Sequence, residues 1–299
     1  MSRDPRIALA VRVRNEWSLL EGLLHNVSGV CDEAWILDDA SQTPLPDSLF
    51  RLLPRVVVLR SRDWSGADGR LGEGVQRDYL LQRVKRGSAC DWVLQLDADE
   101  RLDEPHAARE LTHSETVDAW LLPLIDYYIT PEDQLNDDFV QPGNVRQWYG
   151  PEVRWTLCLF RLMSSLYLSR GVVREPQGFA SQRVAPSTTP TVEHYGKAVS
   201  ILEWERKVDF YVSQYPAYRD KWMARRGAAV HDGVSDFGRP LVHRGEKSFD
   251  VRAAPRIYTY VVERGPRAIV KRLLYGKLGP SLWSVATERV NSEHEASGS

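Results

Sequence analysis

The amino-acid sequence predicts an α/β fold with a mostly parallel central sheet flanked by helices. Short apolar segments alternate with segments of helical periodicity over residues 7–100, which is the pattern of strands joined by right-handed crossovers. Two of the strand-like segments end in acidic groups, Asp38-Asp39 and Asp97-Ala98-Asp99. Because open α/β sheets bind ligands beyond the carboxyl ends of their strands, these acids indicate a binding edge.

Hydrophobic periodicity assigns the elements in order. The segment Ile7–Val13 predicts the first strand, and the apolar residues that follow Trp17 recur at helical spacing as far as Val27. Further strands are predicted at 34–37, 55–59, 92–96, 117–125, 155–162 and 191–194, and helices at 72–86 and from about 200 onward. The glycine-rich segment 69–74 predicts a loop, and the polar segment 130–149 predicts a loop over the site.

Composition places the chain among ordinary globular proteins. Its 299 residues are 42% hydrophobic and 27% charged, with a formal net charge of −2, so the charge gives no reason to expect nucleic-acid binding. No segment approaches the roughly 18–20 apolar residues of a membrane span. The three cysteines are odd in number and far apart, which favours buried thiols in a reducing compartment. We therefore expect a cytoplasmic protein.

Several common nucleotide and hydrolase motifs are missing from the sequence. The turn after the first strand is Arg14-Asn15-Glu16, without the glycines of a dinucleotide-binding fold or of a sugar-nucleotide pyrophosphorylase. The Walker phosphate loop, His-Glu-x-x-His and Gly-x-Ser-x-Gly do not occur either. A nucleotide bound by acidic side chains and a metal is the reading that remains.

The acidic segment Asp97-Ala98-Asp99-Glu100 has two interpretations. Clustered carboxylates at a strand end repel one another unless a cation or ligand neutralises them. Alternatively, the acids begin a helix, since acidic residues favour a first helical turn and Pro105 follows. The residues alone leave both interpretations open.

The order of three motifs resembles the family 2 glycosyltransferases of GT-A fold. These motifs are Arg14-Asn15-Glu16 after the first strand, the segment 36–41 and the acidic segment 97–100. Residues 92–102 are similar to the Trp-Val-Leu-x-Leu-Asp-Ala-Asp-Glu-Arg-Leu pattern of a bacterial branch that includes lipopolysaccharide-core glucosyltransferases and peptide S-glycosyltransferases. The resemblance covers roughly residues 7–215. Asp78 and Arg174 depart from it, standing where the branch has asparagine and histidine.

The resemblance implies a nucleoside-diphosphate-sugar donor, with uridine the expected base, and Mn²⁺ or Mg²⁺ as cofactor. It assigns donor binding to Arg14, Asn15, Glu16, Asp38, Asp39, Arg77 and Asp97. The cation is assigned to Asp99 and His194, with Asp97 as a further ligand. Glu175 is the first candidate for the general base and Asp126 is the alternative. The structural alternatives are a solvated turn at Asp38-Asp39, a surface arginine at 77, an ion pair of Arg174 with Glu175, and a structural histidine at 194.

We therefore expect a metal-dependent, inverting hexosyltransferase in residues 1–215, a mainly helical extension in 216–290 and a disordered tail in 291–299. The acceptor stays open between a saccharide, a lipid-linked sugar, a protein and a modified DNA base. The basic segment 240–277 indicates a packed cap or, alternatively, peripheral contact with the inner membrane face. The competing functions are a non-catalytic sugar-nucleotide-binding protein and a nucleotidyltransferase on a related fold.

Overall fold

The computed structural model describes residues 3–61, 69–133, 135, 136, 138, 140–168, 174–214, 219–246, 249–262 and 285–292. The strands are β1 (Ile7–Val13), β2 (Glu33–Asp38), β3 (Arg55–Ser61), β4 (Trp92–Gln95), β5 (Glu100–Leu102), β6 (Ala119–Tyr128), β7 (Trp148–Arg161), β8 (Tyr167–Leu168), β9 (Pro176–Gln177), β10 (Val184–Pro186), β11 (Val192–His194), β12 (Val242–His243), β13 (Arg256–Thr259) and β14 (Val285–Ser292). The helices are α1 (Trp17–Val27), α2 (Gly69–Gly87), α3 (Pro105–Leu111), α4 (Ile201–Gln214) and α5 (Arg219–Met223), with 3₁₀ turns at Asp47–Arg51, Pro142–Asn144 and Ser181–Arg183.

The first half of the chain forms a parallel run of strands in the order β3-β2-β1-β4. Side chains alternate between the two faces of β1: Ile7 and Leu9 pack in the core that contains α1, whereas Ala8 and Ala10 pack in the core that contains α2. Because helices cover both faces, these strands are apolar along almost their whole length. The carboxyl ends of β1, β2 and β4 therefore lie along one edge of the sheet.

The second half continues the sheet through strands of mixed direction. The strand β7 pairs antiparallel with β4 and β6, β6 pairs parallel with β11, and β11 pairs antiparallel with β5. In this register His194 lies opposite Asp126 of β6 on one side and Glu100 of β5 on the other. The pairing brings the histidine to the edge where β4 ends.

This architecture confirms the predicted fold class, a mostly parallel central sheet flanked by helices. The bounds of β1 agree with the sequence prediction, and α4 begins at Ile201 as expected. The helix α2 begins at Gly69, so the prediction of a loop at 69–74 is wrong; glycine lowers helix propensity without preventing helix formation. The strand β7 begins at Trp148, earlier than the predicted start at residue 155. Buried Glu152, which accepts a hydrogen bond from Ser235 of a distant loop, interrupts the apolar pattern by which the first part of the strand could be predicted.

The region predicted as a mainly helical extension differs from that expectation in its described part. The described residues 219–246, 249–262 and 285–292 contain one α-helix, α5, and three strands. All three strands join the main sheet: β12 and β13 pair with β7, and β14 pairs with β3. All four residues of β13 are exposed, so the strand lacks the apolar alternation by which it could be predicted. The apolar spacing after Pro266 predicts a helix with a basic face, and these residues lie outside the described part of the chain.

Two further expectations concern cysteines and membranes. Cys31, Cys90 and Cys158 are buried and free of disulfides, as predicted, and burial raises the pKa of Cys90 and of Cys158 to about 12. Among the described residues, no helix combines the length and the apolarity that crossing a bilayer requires.

Arg146 fastens the segment that follows β11 to the loop before β7. Its fully buried guanidinium donates hydrogen bonds to the carbonyl oxygens of Ala198 (2.6 Å), Asp133 (2.7 Å) and Val199 (2.7 Å). Removing it would leave the buried carbonyl oxygens of Ala198 and Val199 without this donor, whereas the Asp133 oxygen would keep its bond from the Asn136 N–H. Each unmade bond of this kind is unfavourable by about 1–3 kcal/mol.

We expect Arg146→Met to lower the free energy of unfolding by about 3 kcal/mol or more, measured by urea denaturation followed by circular dichroism. The matched control is Arg206→Met, because the Arg206 side chain is 64% exposed and pairs with Glu203 at the surface. That control should change the free energy of unfolding by less than about 0.5 kcal/mol. Equal effects of the two substitutions would contradict the role of Arg146.

Candidate active site

A cavity of about 340 Å³ opens where the carboxyl ends of β1 and β4 meet α4. Its lining residues are Arg12, Glu16, Glu73, Arg77, Asp97, Ala98, Asp99, His194, Gly196, Lys197, Lys207, Tyr211, Trp222 and Arg225. Five of the residues predicted for the site, Glu16, Arg77, Asp97, Asp99 and His194, are thus brought together at one place. The wall combines acidic and basic side chains, which suits a ligand that carries both a cation and phosphate groups.

The turn after β4 presents Asp97 and Asp99 to the cavity. The backbone N–H of Asp97 donates to Glu100 Oε2 at 2.9 Å, and the N–H of Glu100 donates to the Asp97 carbonyl oxygen at 3.0 Å. These two bonds close a tight turn in which the buried carboxylate of Glu100 holds the backbone. The acidic segment is therefore a strand-to-strand turn leading into β5, and the interpretation as the start of a helix is wrong.

Asp97 lies between two arginines. Its Oδ1 accepts a hydrogen bond from Arg77 Nη2 at 2.9 Å, and its Oδ2 accepts one from Arg174 Nη1 at 3.4 Å. Burial alone would raise the pKa of Asp97, but the charges of Arg77 and Arg174 outweigh burial and hold the pKa below its usual value. Both carboxylate oxygens of Asp97 are thus occupied by guanidinium groups.

Asp99 and His194 form the acid–imidazole pair of the cavity. Asp99 Oδ2 lies 3.6 Å from His194 Nε2 and 3.8 Å from Lys207 Nζ. Burial would raise the pKa of Asp99, but these two cations outweigh burial and hold it well below its usual value. Burial would likewise lower the pKa of His194, and the neighbouring carboxylates of Asp99 and Asp126 raise it to about 9. One carboxylate oxygen and one ring nitrogen therefore face the same space.

Asp126 lies behind His194 and does not line the cavity. Its carboxylate bonds Arg154 and His194 Nδ1, and its other oxygen accepts from Lys197 Nζ at 3.3 Å. Burial would raise the pKa of Asp126, but the charges of Arg154 and Lys197 hold it well below its usual range. Asp126 is therefore a charged carboxylate with three cationic or ring partners.

Glu175, the first candidate for the base, also lies outside the cavity lining. Its carboxylate accepts hydrogen bonds from the backbone N–H of Leu157 at 2.8 Å and from the Tyr258 hydroxyl. Burial raises the pKa of Glu175, and those two hydrogen bonds offset part of the rise. The preceding residues 169–173 lie outside the described part of the chain, so the role of Glu175 stays a prediction.

The turn after β1 joins the site to the loop after β2. Asn15 adopts a left-handed backbone conformation with φ of 58°, its N–H donates to Ser41 Oγ at 2.9 Å, and its Oδ1 accepts from the Gln42 N–H at 2.8 Å. Of the predicted triplet, Glu16 reaches the cavity, whereas Arg14 and Asn15 do not line it. Burial and the charge of Asp99 raise the pKa of Glu16 to about 7.

The acidic pair after β2 is buried, which makes the solvated-turn alternative wrong. Asp38 Oδ1 accepts the Ser41 N–H at 2.8 Å, and the carboxylate of Asp39 accepts from Arg12 and Gln76 at 2.5 Å each. Neither aspartate lines the cavity. Asp39 reaches it indirectly, because it bonds Arg12, which is part of the wall.

Sequence reasoning missed most of the wall that α4 and α5 contribute. Lys207 and Tyr211 lie one turn apart on α4, and Tyr211 stacks on Trp222 of α5 with ring centroids 4.3 Å apart. The helical spacing of Ile201, Trp204, Val208 and Tyr211 predicts a core-facing apolar stripe, but Tyr211 lines the cavity. The spacing of Lys207 and Tyr211 on one helix face was the available signal, but nothing in the sequence indicated that this face points at β4.

Asp99 and His194 fit a divalent cation that takes its remaining ligands from phosphates and water. No cluster of three or more His, Cys, Asp or Glu side chains suited to a metal occurs in the described part of the chain, so the protein would supply two ligands. A Cβ built on Gly196 would lie 2.6 Å from both Asp99 Oδ2 and His194 Nε2. The missing side chain thus leaves space beside one hard oxygen and one imidazole nitrogen, as Mn²⁺ or Mg²⁺ bound with few protein ligands needs.

Comparison with known proteins returned distant structural likenesses. The crystal structure of residues 1–349 of Staphylococcus aureus TarS aligns with a TM-score of 0.41 and 12% identity, covering 75% of this chain and 71% of that chain. A second TarS structure aligns with a TM-score of 0.39 and 12% identity, covering 75% of this chain and 43% of that chain. A third structure is glucosyl-3-phosphoglycerate synthase from Mycobacterium tuberculosis in complex with Mn²⁺, uridine diphosphate and phosphoglyceric acid. It aligns with a TM-score of 0.34 and 14% identity, covering 64% of this chain and 70% of that chain.

No protein-family model matches the chain, and no curated protein matches it by sequence.

Gly196→Ala tests whether the space between Asp99 and His194 holds a cation. The added methyl group would displace both ligand atoms, so we expect Mn²⁺ affinity, measured by electron paramagnetic resonance of the free ion, to fall roughly tenfold or more. Stability should change by less than about 1 kcal/mol, because both displaced atoms are ends of side chains.

Gly29→Ala is the matched control for this substitution. Gly29 does not line the cavity, and its methyl group would meet His106 at 3.1 Å. The control should keep the Mn²⁺ affinity of the unmodified protein. Unchanged affinity in Gly196→Ala would exclude a cation at this position.

Proposed function

We propose that the protein is a metal-dependent glycosyltransferase that uses a nucleoside-diphosphate sugar, with uridine as the expected base. The observation that carries the proposal is the pair of Asp99 Oδ2 and His194 Nε2, 3.6 Å apart at the carboxyl end of β4. This pair faces a cavity whose wall also holds Arg12, Arg77 and Lys207. Carboxylate and imidazole suit a divalent cation, and the basic side chains suit the phosphates that such a cation accompanies.

The lining residues have separable tasks in this proposal. Asp99 and His194 would hold the cation, which when bound supplies Lewis-acid stabilisation of the leaving diphosphate. Arg77 keeps its charge, because Asp97 and Glu73 raise its pKa although burial would lower it. From the helix α2 its guanidinium can orient the diphosphate, with Asp97 fixing the guanidinium in place.

The reaction transfers the sugar with inversion at the anomeric carbon. The acceptor O–H, or another nucleophilic group, attacks that carbon as its bond to the diphosphate oxygen breaks, and the bonding electrons leave with the diphosphate. The nucleophile's proton goes to a general base, for which Glu175 is the candidate. Burial of Glu175 raises its pKa, which favours proton uptake, and turnover requires that Tyr258 release the carboxylate.

A second function, binding of a sugar nucleotide without transfer, has specific support. Arg174 stands where the resembled branch has histidine and bonds Asp97, and Glu175 is held by Tyr258 and Leu157 away from the cavity. A protein of this kind would bind the donor with Mn²⁺ and release no nucleoside diphosphate.

Asp99→Asn tests the metal-dependent binding. In calorimetry of uridine diphosphate with and without Mn²⁺, we expect the unmodified protein to bind more tightly with the metal. The substitution should remove that dependence, because an amide oxygen is a weak replacement for a carboxylate ligand. The control Asp232→Asn, at an exposed position, should behave like the unmodified protein, and the same metal dependence in Asp99→Asn would reject the assignment.

Glu175→Gln tests the base. We expect donor binding to be retained and Mn²⁺-dependent release of uridine diphosphate from the donor to fall by about 100-fold or more, because general-base catalysis contributes roughly 10²–10⁴-fold. Glu110→Gln, at an exposed position, is the control and should keep the original rate. Near-normal release in Glu175→Gln would reject the base, whereas donor binding without release by the unmodified protein would favour the non-catalytic function.

A further inference from the structure

Asp126 is a buried carboxylate placed behind His194 by the strand register. It lies on β6 directly opposite His194 of the parallel strand β11, so both side chains leave the sheet on the same face. Between the pairs Ile125–Val153 and Tyr127–Tyr149, β6 has Asp126 alone and β7 has the three residues 150–152, so β7 bulges opposite Asp126. On the other side of β6, the carboxylate of Asp126 reaches the imidazole of His194.

We propose that Asp126 is a positioning residue, which holds the His194 ring so that Nε2 faces Asp99 and the cation position. The inference rests on the proposed function, because it gives His194 the part of a metal ligand. His194 Nδ1 lies 2.5 Å from Asp126 Oδ1, while Nε2 lies 3.6 Å from Asp99 Oδ2. The ring thus bridges two carboxylates, one behind it and one in the cavity.

The direction of the Asp126 contact fixes which ring nitrogen is available. Both oxygens of Asp126 accept hydrogen bonds from groups that can only donate, Arg154 on Oδ1 and Lys197 on Oδ2, so in the contact with His194 the Nδ1–H donates to Asp126. Arg154 Nη2 also lies 3.3 Å from Nδ1, but the Asp126 oxygen is nearer, at 2.5 Å, and Arg154 donates to that same oxygen. Nε2 is therefore the nitrogen that would give up its proton and offer a lone pair to a cation, the arrangement found where a carboxylate bonds the other nitrogen of a metal-binding histidine.

A second layer of charges holds Asp126 itself. Arg154 and Lys197 pair with its two oxygens, and Lys197 in turn bonds Asp236 at 2.7 Å. Asp236 also accepts from Arg225 at 2.9 Å. Because Arg154 and Lys197 hold both oxygens of Asp126 and the residue does not line the cavity, its carboxylate is placed to orient the His194 ring.

Asp126→Asn and Asp236→Asn separate this role from a general effect of the charge network. Both substitutions remove a carboxylate that bonds Lys197, but Asp126 alone of the two contacts His194. In calorimetric titrations with Mn²⁺ in the presence of uridine diphosphate, we expect Asp126→Asn to weaken metal affinity by about 10–100-fold. We expect the Mn²⁺ affinity of Asp236→Asn to stay within about threefold of that of the unmodified protein, since Asp236 bonds Lys197 and Arg225 and not the proposed metal ligands Asp99 and His194.

The outcomes distinguish the inference from the proposed function. No Mn²⁺ binding by the unmodified protein rejects the proposed function and the inference with it. Binding by the unmodified protein together with unchanged affinity in Asp126→Asn, or with equal losses in both variants, rejects the positioning role and leaves the proposed function standing.

A measurement on the unmodified protein decides the case in which Asp126→Asn does not fold. Long-range ¹H–¹⁵N spectra of protein loaded with uridine diphosphate and Zn²⁺, a diamagnetic stand-in, report which His194 nitrogen bears the proton, with His194→Gln for assignment. We expect the proton on Nδ1 and none on Nε2. A proton on Nε2 overturns the inference.

Discussion

The pairing of β11 with both β6 and β5 is the constraint on which the candidate site depends. It sets His194 between Asp126 and Glu100, residues that come from separate parts of the chain. Glu100 in turn bonds the backbone N–H of Asp97 and so closes the turn that carries Asp99. A shift of one residue in either pairing would send the imidazole to the opposite face of the sheet. The geometry of the acid–imidazole pair therefore follows from backbone register before any ligand is present.

Electrostatic balance is the second principle of the site. The three aspartates in and behind the cavity are each offset by cations: Asp97 by Arg77 and Arg174, Asp99 by His194 and Lys207, and Asp126 by Arg154 and Lys197. Removing these carboxylates from water is unfavourable, and the paired charges compensate for it. The pKa values of these three aspartates are consequently lowered, and groups fixed in this way can stabilise charge in a reaction without rearranging.

The sequence revealed the parallel half of the fold and the centre of the site, for physical reasons that do not extend to the rest. Buried strands such as β1 and β4 are apolar at all but one position each, and motif order singled out Asp99 and His194. Lys207 and Trp222 were missed because their place in the wall is decided by how α4 and α5 fold back on the sheet. The burial of Asp39 against Arg12 and Gln76 likewise depends on a contact between β1, α2 and the loop after β2, which no local pattern encodes.

The 14-residue strand β7 has a mechanical consequence. Its edges carry β4 of the parallel half and β6 of the mixed half, and β12 and β13 pair with it as well. A hinge motion that separated β4 from β6 would have to break the backbone hydrogen bonds that each of these strands makes with β7. Several hydrogen bonds would be lost together. We therefore expect any movement that accompanies ligand binding to occur in the segments around α4 and α5, while the sheet stays rigid.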